Sequence, residues 1–189
     1  DLITVNAATT VAVDASAVTR VNGSVANAKT LIAAVGSVPA EITGLNTAQF
    51  SLSDTGSNTT TDILSITTFT SGRVTSFADT YVGSVAHFGN AVGDPTSFLG
   101  LIASNDLVTN SAFAIEFTAE STVTATAMLG ILSSVNDTDK LNLDVTVDAG
   151  LVSLFTGSVT DLVAALVTTG AQVNAATSNV TLTGSVVAS

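Results

Sequence analysis

The sequence predicts a β-rich α/β fold in which strands are interspersed with short helices and packed in a repeat-like way, as a solenoid or a sandwich-like body. Three observations predict it. The phrase LFTGSV at Leu154–Val159 returns as TLTGSV at Thr181–Val186. Two stretches that follow a Gly-Ser-Val phrase carry apolar residues at helical spacing, beginning at Val25 and Val159. Two others alternate apolar and polar residues with the period of two that marks a half-buried strand.

Taken in order, Leu2–Val5 and Thr10–Val13 are rich in β-branched residues and read as strands. In VNGSVANAKTLIAAVGSV, Ser24 stands as N-cap, and Val25, Ala28, Leu31, Ile32 and Val35 form the apolar stripe. Gly36 occupies the place of a left-handed C-cap. An extended run follows at Phe50–Ser53. Another Gly-Ser-Val lies at Gly83–Val85, and the positions Gly56, Gly83 and Asn110 are spaced by 27 residues, with Asn taking the positive-φ role of Gly. Phe113, Ile115 and Phe117 alternate with Ala114, Glu116 and Thr118 as a strand wet on one side. Ala125–Ser134 reads as a short helix whose weak point is Gly130. Leu141, Leu143, Val145 and Val147 take one face of the next strand and Asn142, Asp144, Thr146 and Asp148 the other. Asp148-Ala149-Gly150 then turns the chain into Leu151–Phe155, which predicts a hairpin. Ser158 caps a second helix with Val159, Leu162, Val163 and Leu166 as its stripe and Gly170 as its stop, and Val180–Thr183 is extended again. These matches set internal repeats at 21–54 and 155–186, within a single domain spanning 1–189 or a segment excised from a longer repeat protein.

Composition narrows the function classes. Hydrophobic residues make up 46%, but charged residues only 10%, where roughly 25% is usual. Surface polarity must therefore come from Ser, Thr and Asn, a balance familiar in exported, matrix-forming proteins. Four cations (Arg20, Lys29, Arg73, Lys140) stand against fifteen carboxylates, for a net charge of -11. Nucleic acid is excluded as a partner because phosphate binding needs clustered cations, and attraction to an anionic membrane fails for the same reason. Without Cys there is no disulfide, thiol nucleophile or thiolate metal site. No run approaches the roughly 18 apolar residues that span a bilayer, so no membrane span is expected. A start at Asp1 without a leader-like segment suggests a processed chain or a piece of a longer one.

Reactive residues are few. His87 is the single histidine, and nothing beside it in sequence supplies a nucleophile and an orienting carboxylate. A zinc site has too few ligand types. The acidic residues Asp137, Asp139, Asp144 and Asp148 form one ion candidate, with Asp137 and Asp139 in a loop that can also supply backbone carbonyls; Asp54 and Asp62, flanking TGSNTTTD, form a second. Calcium is the cation that these oxygen ligands suit, although neither loop has EF-hand spacing. Along an extended strand, Asp144 and Asp148 lie about 13 Å apart, too far to share one ion. Glu116 and Glu120 are the carboxylates available for glycoside hydrolysis, but they sit on one strand. Sequons at Asn22, Asn58, Asn136 and Asn179 can carry glycans.

The units V-x-G-S-V-x-(N/D), followed by an Ala/Leu helix and a Ser/Thr/Val strand, resemble segments of large bacterial surface proteins: S-layer proteins, repeat adhesins and haemolysin-type calcium-binding proteins. The residues that carry the resemblance are Val21–Val38, Phe155–Val173, Leu52–Asp54 and Thr181–Thr183. It implies secretion, multimeric arrays and often calcium. The calcium-binding G-G-x-G-x-D nonapeptide of that group's β-rolls does not occur, so the resemblance is to a segment outside the β-roll.

The expectation is thus a structural, non-enzymatic module of an extracellular bacterial surface assembly, an S-layer, surface fibre or adhesin, associating with copies of itself through strand edges. The chain closes on TGSVVAS, the opening phrase of a unit without its helix. The alternative is a monomeric module of a secreted protein that binds a glycan or calcium, its contact region around Tyr81, His87 and Phe88.

Overall fold

The computed structural model describes residues 1–89, 94–120, 122–136, 144–168 and 173–184. Helix accounts for 37% and strand for 29%, so the fold is mixed α/β with more helix than the Val- and Thr-rich sequence predicts.

The first element is helix α1 (Leu2–Ala7), where β propensity predicts a strand. The Asp1 carboxylate accepts the Thr4 amide hydrogen at 3.0 Å, and Leu2 and Ile3 pack on the core; a cap and tertiary burial outweigh the branched side chains. Strand β1 is confined to Val13–Asp14, which leaves Thr10–Ala12 outside it. Strand β2 (Arg20–Gly23) leads through Ser24 into α2 (Val25–Gly36), which buries Val25, Ala28, Leu31 and Ala34. Gly36 is its last helical residue and Ser37 its cap in extended backbone, so no left-handed glycine ends this helix.

Next come β3 (Ile42–Thr43), a 3-10 turn at Leu45–Thr47, β4 (Gln49–Leu52), β5 (Ser57–Thr59) and α3 (Thr60–Phe69). They are followed by β6 (Val74–Ser76), β7 (Thr80–Gly83), α4 (Val85–Phe88), α5 (Phe98–Ala103), β8 (Leu107–Val108) and β9 (Ala112–Phe117). The last third holds β10 (Val123–Thr124), α6 (Ala125–Val135), β11 (Asp144–Asp148) and β12 (Leu154–Gly157). Helix α7 (Val159–Val163) continues as a π-helical turn at Ala164–Thr168, and β13 (Val173–Asn174) and β14 (Asn179–Leu182) close the described chain. Leu141, Leu143 and the expected stop at Gly170 lie outside the described residues.

The strands form four sheets: β1-β3, β2-β4-β6-β8, β5-β7-β9-β11-β13 and β10-β12-β14. Every strand pair among the described residues is parallel, which a chain achieves only when a long connection separates successive partners. The expected hairpin at Asp148-Ala149-Gly150 is therefore not formed. The turn exists, with the Gly150 amide donating to Asp148 Oδ1 at 2.9 Å, but β11 pairs with β9 and β13 while β12 pairs with β10 and β14. It is a corner between sheets.

The spacing of 27 is not the pairing spacing either. Ser57 lies beside Thr80 and Thr80 beside Ala114, steps of 23 and 34 residues. Gly56, Gly83 and Asn110 are consequently not equivalent positions, and neither Gly56 nor Asn110 has positive φ.

One cluster of buried side chains runs from Ala15 to Val173. Its centre is aromatic: Tyr81 lies 4.6 Å from Phe98 and 5.1 Å from Phe113, centroid to centroid, and Phe88 lies 5.7 Å from both Phe98 and Phe117. Strand β9 buries Phe113, Ile115 and Phe117 and leaves Ala112, Ala114 and Glu116 less covered, as the alternation predicts. The helices lie in a row, α1 against α2, α2 against α3, α3 against α4, α4 against α6 and α6 against α7.

Candidate functional site

The Gly-Ser-Val phrases that begin at Gly23, Gly83 and Gly157 are strand-to-helix junctions, whereas the one at Gly36 ends α2. The hydroxyls of Ser24, Ser84 and Ser158 accept the amide hydrogens of Asn27, His87 and Asp161, each at 3.1 Å. The carbonyls of Gly23, Gly83 and Gly157 accept from the amides of Ser53, Thr118 and Thr183, each just past the end of the neighbouring strand, at 2.8–3.0 Å. The glycine leaves room for the preceding helix. A Cβ on Gly83 would fall 2.0 Å from Thr60 Oγ1, and one on Gly157 would fall 2.7 Å from Ala125 Cβ. Thr60 and Ala125 are the first residues of α3 and α6, so each of these junctions rests on the start of an earlier helix. At two junctions the first helical amide also finds a distant carboxylate: Val25 donates to Asp54 Oδ2 at 2.6 Å and Val85 to Glu120 Oε1 at 2.7 Å. A carboxylate at a helix start answers both the orphan amide and the helix dipole.

These contacts account for several residues that sequence reading assigned to chemistry. Asp54 holds the α2 start, and Asp62 forms an ion pair with Lys29 of the same helix. Asp137 and Asp139 lie outside the described residues. Among the described residues, no three His, Asp or Glu side chains converge. Glu116 and Glu120 take different partners: Glu120 accepts from the Val85 amide, while Glu116 lies in register with Asp148 on the neighbouring strand. That pairing, with Asn174 in register on the far side of Asp148, is a juxtaposition hidden from sequence because it depends on register alone. His87 is exposed, with Nδ1 3.5 Å from Thr61 Oγ1.

Tyr81 is fully buried at 0% exposure, and its hydroxyl donates to the Ser76 carbonyl at 2.8 Å. The expected ligand contact around it is therefore overturned; its phenol serves the core, where burial pushes its pKa up. Asn58 is also buried, at 6% exposure, with its amide donating to Ser76 Oγ, and has no room for a glycan in the folded chain. Asn22, Asn136 and Asn179 are exposed.

The most unusual surface is the end formed by α7 and β14. Val180 and Leu182 occupy the inward-facing positions of β14, and Val180 is in register with Phe155, which is in register with Val123. Phe155 and Val123 are buried, yet Val180 is 51% and Leu182 49% exposed. Val159 and Val163, predicted for the buried stripe of their helix, are exposed as well, and Val167 continues the same stripe. Leu162 of that helix is buried and Leu166 partly so, because they face β12 and α6; the valines face past the end of the helix row. Apolar periodicity in the sequence reports which residues seek cover, and carries no signal of whether an element is there to cover them.

The chain matches no known protein family, curated protein or solved structure. What the surface offers chemically is therefore read from the residues alone. At the opposite end, a cleft of about 220 Å³ lies along β2, with Leu2, Ile3, Val21, Leu31, Phe50 and Leu52 among its lining residues. Among the described residues, both ends present strand edges without a hydrogen-bonded neighbour, together with exposed apolar side chains. No helix among the described residues is long and apolar enough to cross a membrane.

Proposed function

We propose that this chain is a structural, self-associating module of an extracellular bacterial surface assembly such as an S-layer, a surface fibre or an adhesin, with its strand-helix units packed in a repeat-like stack. The observation that carries the reading is β14: among the described residues it is paired on one side only, and its inward-facing Val180 and Leu182 stand half exposed, although Phe155, the register neighbour of Val180, is buried. Half-exposed aliphatic side chains on an open edge are a liability in a monomer and an adhesive surface in an assembly. The extracellular setting is supported by the solvent faces of the sheets, where Asn22, Ser51 and Thr75 stand in register on one sheet and Thr124, Thr156 and Thr181 on another, polar without being charged. Calcium enters as a neutralising counter-ion for a chain of net charge -11.

The test is light scattering and electron microscopy of the chain in millimolar calcium and again after a chelator. Oligomers or filaments are expected, fewer of them after chelation. A strictly monomeric particle in calcium overturns the proposal.

A further inference from the structure

The two ends of the molecule are complementary in hydrogen-bonding pattern. Each presents a two-residue strand followed by a four-residue strand: β1 and β2 at one end, β13 and β14 at the other. Among the described residues, β1 and β2 pair only with later strands, and β13 and β14 only with earlier ones. Within the molecule the later strand engages the earlier one through its outward-facing residues. Gln49 donates to Thr19 O, Ala114 to Asp79 O, Asp144 to Ser111 O and Asn179 to Ser153 O. The earlier strand answers with residues that share the parity of its inward-facing side chains. At the free edge of β2 the unused backbone groups belong to the outward-facing Arg20 and Asn22; at the free edge of β14 they belong to the inward-facing Val180 and Leu182. These are the two halves of the pairing that the internal strands already use.

Side chains and charge agree with the backbone. The exposed Val159, Val163 and Val167 of the α7 end would meet α1, whose Val5 is exposed, and so prolong the helix row. Val180 and Leu182 would enter the cleft beside β2, whose walls combine Leu2, Ile3 and Val21 with the polar Asp1, Arg20 and Asn27. Residues 74–189 hold one cation, Lys140, against ten carboxylates, whereas residues 1–73 hold Arg20, Lys29 and Arg73 against five. Both halves are net negative and the second far more so, which makes tail against tail the contact that charge most disfavours.

We propose that a second copy of this chain docks its β1/β2 edge in parallel on the β13/β14 edge of the first, a heterologous head-to-tail contact that propagates into a filament. The proposal rests on the self-association reading above and adds which surfaces meet. An occupant other than a second copy, such as a different protein strand, is an outcome that the following experiment exposes.

Two variants block one end each: Asn22→Pro removes an edge amide at β2, and Leu182→Asp places a charge on the inward face of β14. Sedimentation velocity is run on the wild type, on each variant and on their equimolar mixture, with circular dichroism confirming the fold. Wild-type chain is expected to give an open series of species that grows with concentration. Each variant alone is expected to lose every species above monomer, and the mixture to recover a heterodimer that grows no further. If Asn22→Pro misfolds, Arg20→Glu replaces it, with an expected weakening of about tenfold or more; Val167→Asp serves in the same way for Leu182→Asp. A wild type that assembles while both variants assemble equally well overturns the head-to-tail contact and leaves self-association standing, as does an Asn22→Pro chain that still dimerises through its tail. A wild type that stays monomeric sinks both readings.

Discussion

Gly83 lies against Thr60 so closely that a Cβ on the glycine would sit 2.0 Å from the threonine hydroxyl oxygen. The two residues are 23 apart in sequence and adjacent only because β5 and β7 pair with Thr59 beside Val82. Gly83→Ala is expected to lower stability by about 1–3 kcal/mol through overpacking. Gly36→Ala is the control: nothing lies within 4 Å of its added Cβ, and the helix end should gain about 0.5–1 kcal/mol. Urea midpoints of the two variants check both signs.

Thr60 carries a second expectation. Its hydroxyl is buried and has no hydrogen-bond partner, an uncompensated desolvation at the start of α3. Thr60→Val keeps the shape and removes the orphan, so stability should rise by about 1 kcal/mol. A thermal midpoint that falls instead would show the hydroxyl to be engaged.

Glu120 and Asp54 reach across sequence to the amides of Val85 and Val25. Replacing either by Ala is expected to cost about 1–2 kcal/mol, because a helix-start amide loses a charged acceptor. Hydrogen exchange at Val85 in Glu120→Ala and at Val25 in Asp54→Ala should accelerate locally before the remainder of the chain responds.

Tyr81 predicts an alkaline limit. Burial raises its pKa in the folded chain above the ordinary value of 10.0. Above that value the unfolded chain releases the proton while the folded chain keeps it, so stability falls as pH rises from there toward the raised value and is unaffected below. Urea midpoints at about pH 9 and about pH 11 should differ for the wild type and differ less for Tyr81→Phe. The variant should itself be weaker at neutral pH by about 1 kcal/mol, since the Ser76 carbonyl loses its donor.

The parts of this fold that could be read in advance are those whose physics is local. Ser24 and Ser158 cap helices where the sequence places caps, because a capping hydroxyl reaches an amide three residues on. Phe113, Ile115 and Phe117 alternate into the core because a pleated strand has a period of two. Leu2–Val5 misled because Asp1 and the contact with α2 favour a helix against the residues' own preference. The loop at Asp148–Gly150 misled for another reason: a bend into a new sheet and a hairpin turn use the same residues, and only the partners of β11 and β12 tell them apart.

By itself, the sequence determined the grammar of each junction, strand then glycine then capping hydroxyl then helix, and a surface made polar by hydroxyls and amides rather than charge. Tertiary structure alone decided which strands lie side by side, why Gly83 must lack a side chain, and that Val180 and Leu182 stand uncovered. The reason is range. Capping and pleating are settled within a few residues, while register and burial are relations between segments 23 to 34 residues apart that no local pattern encodes.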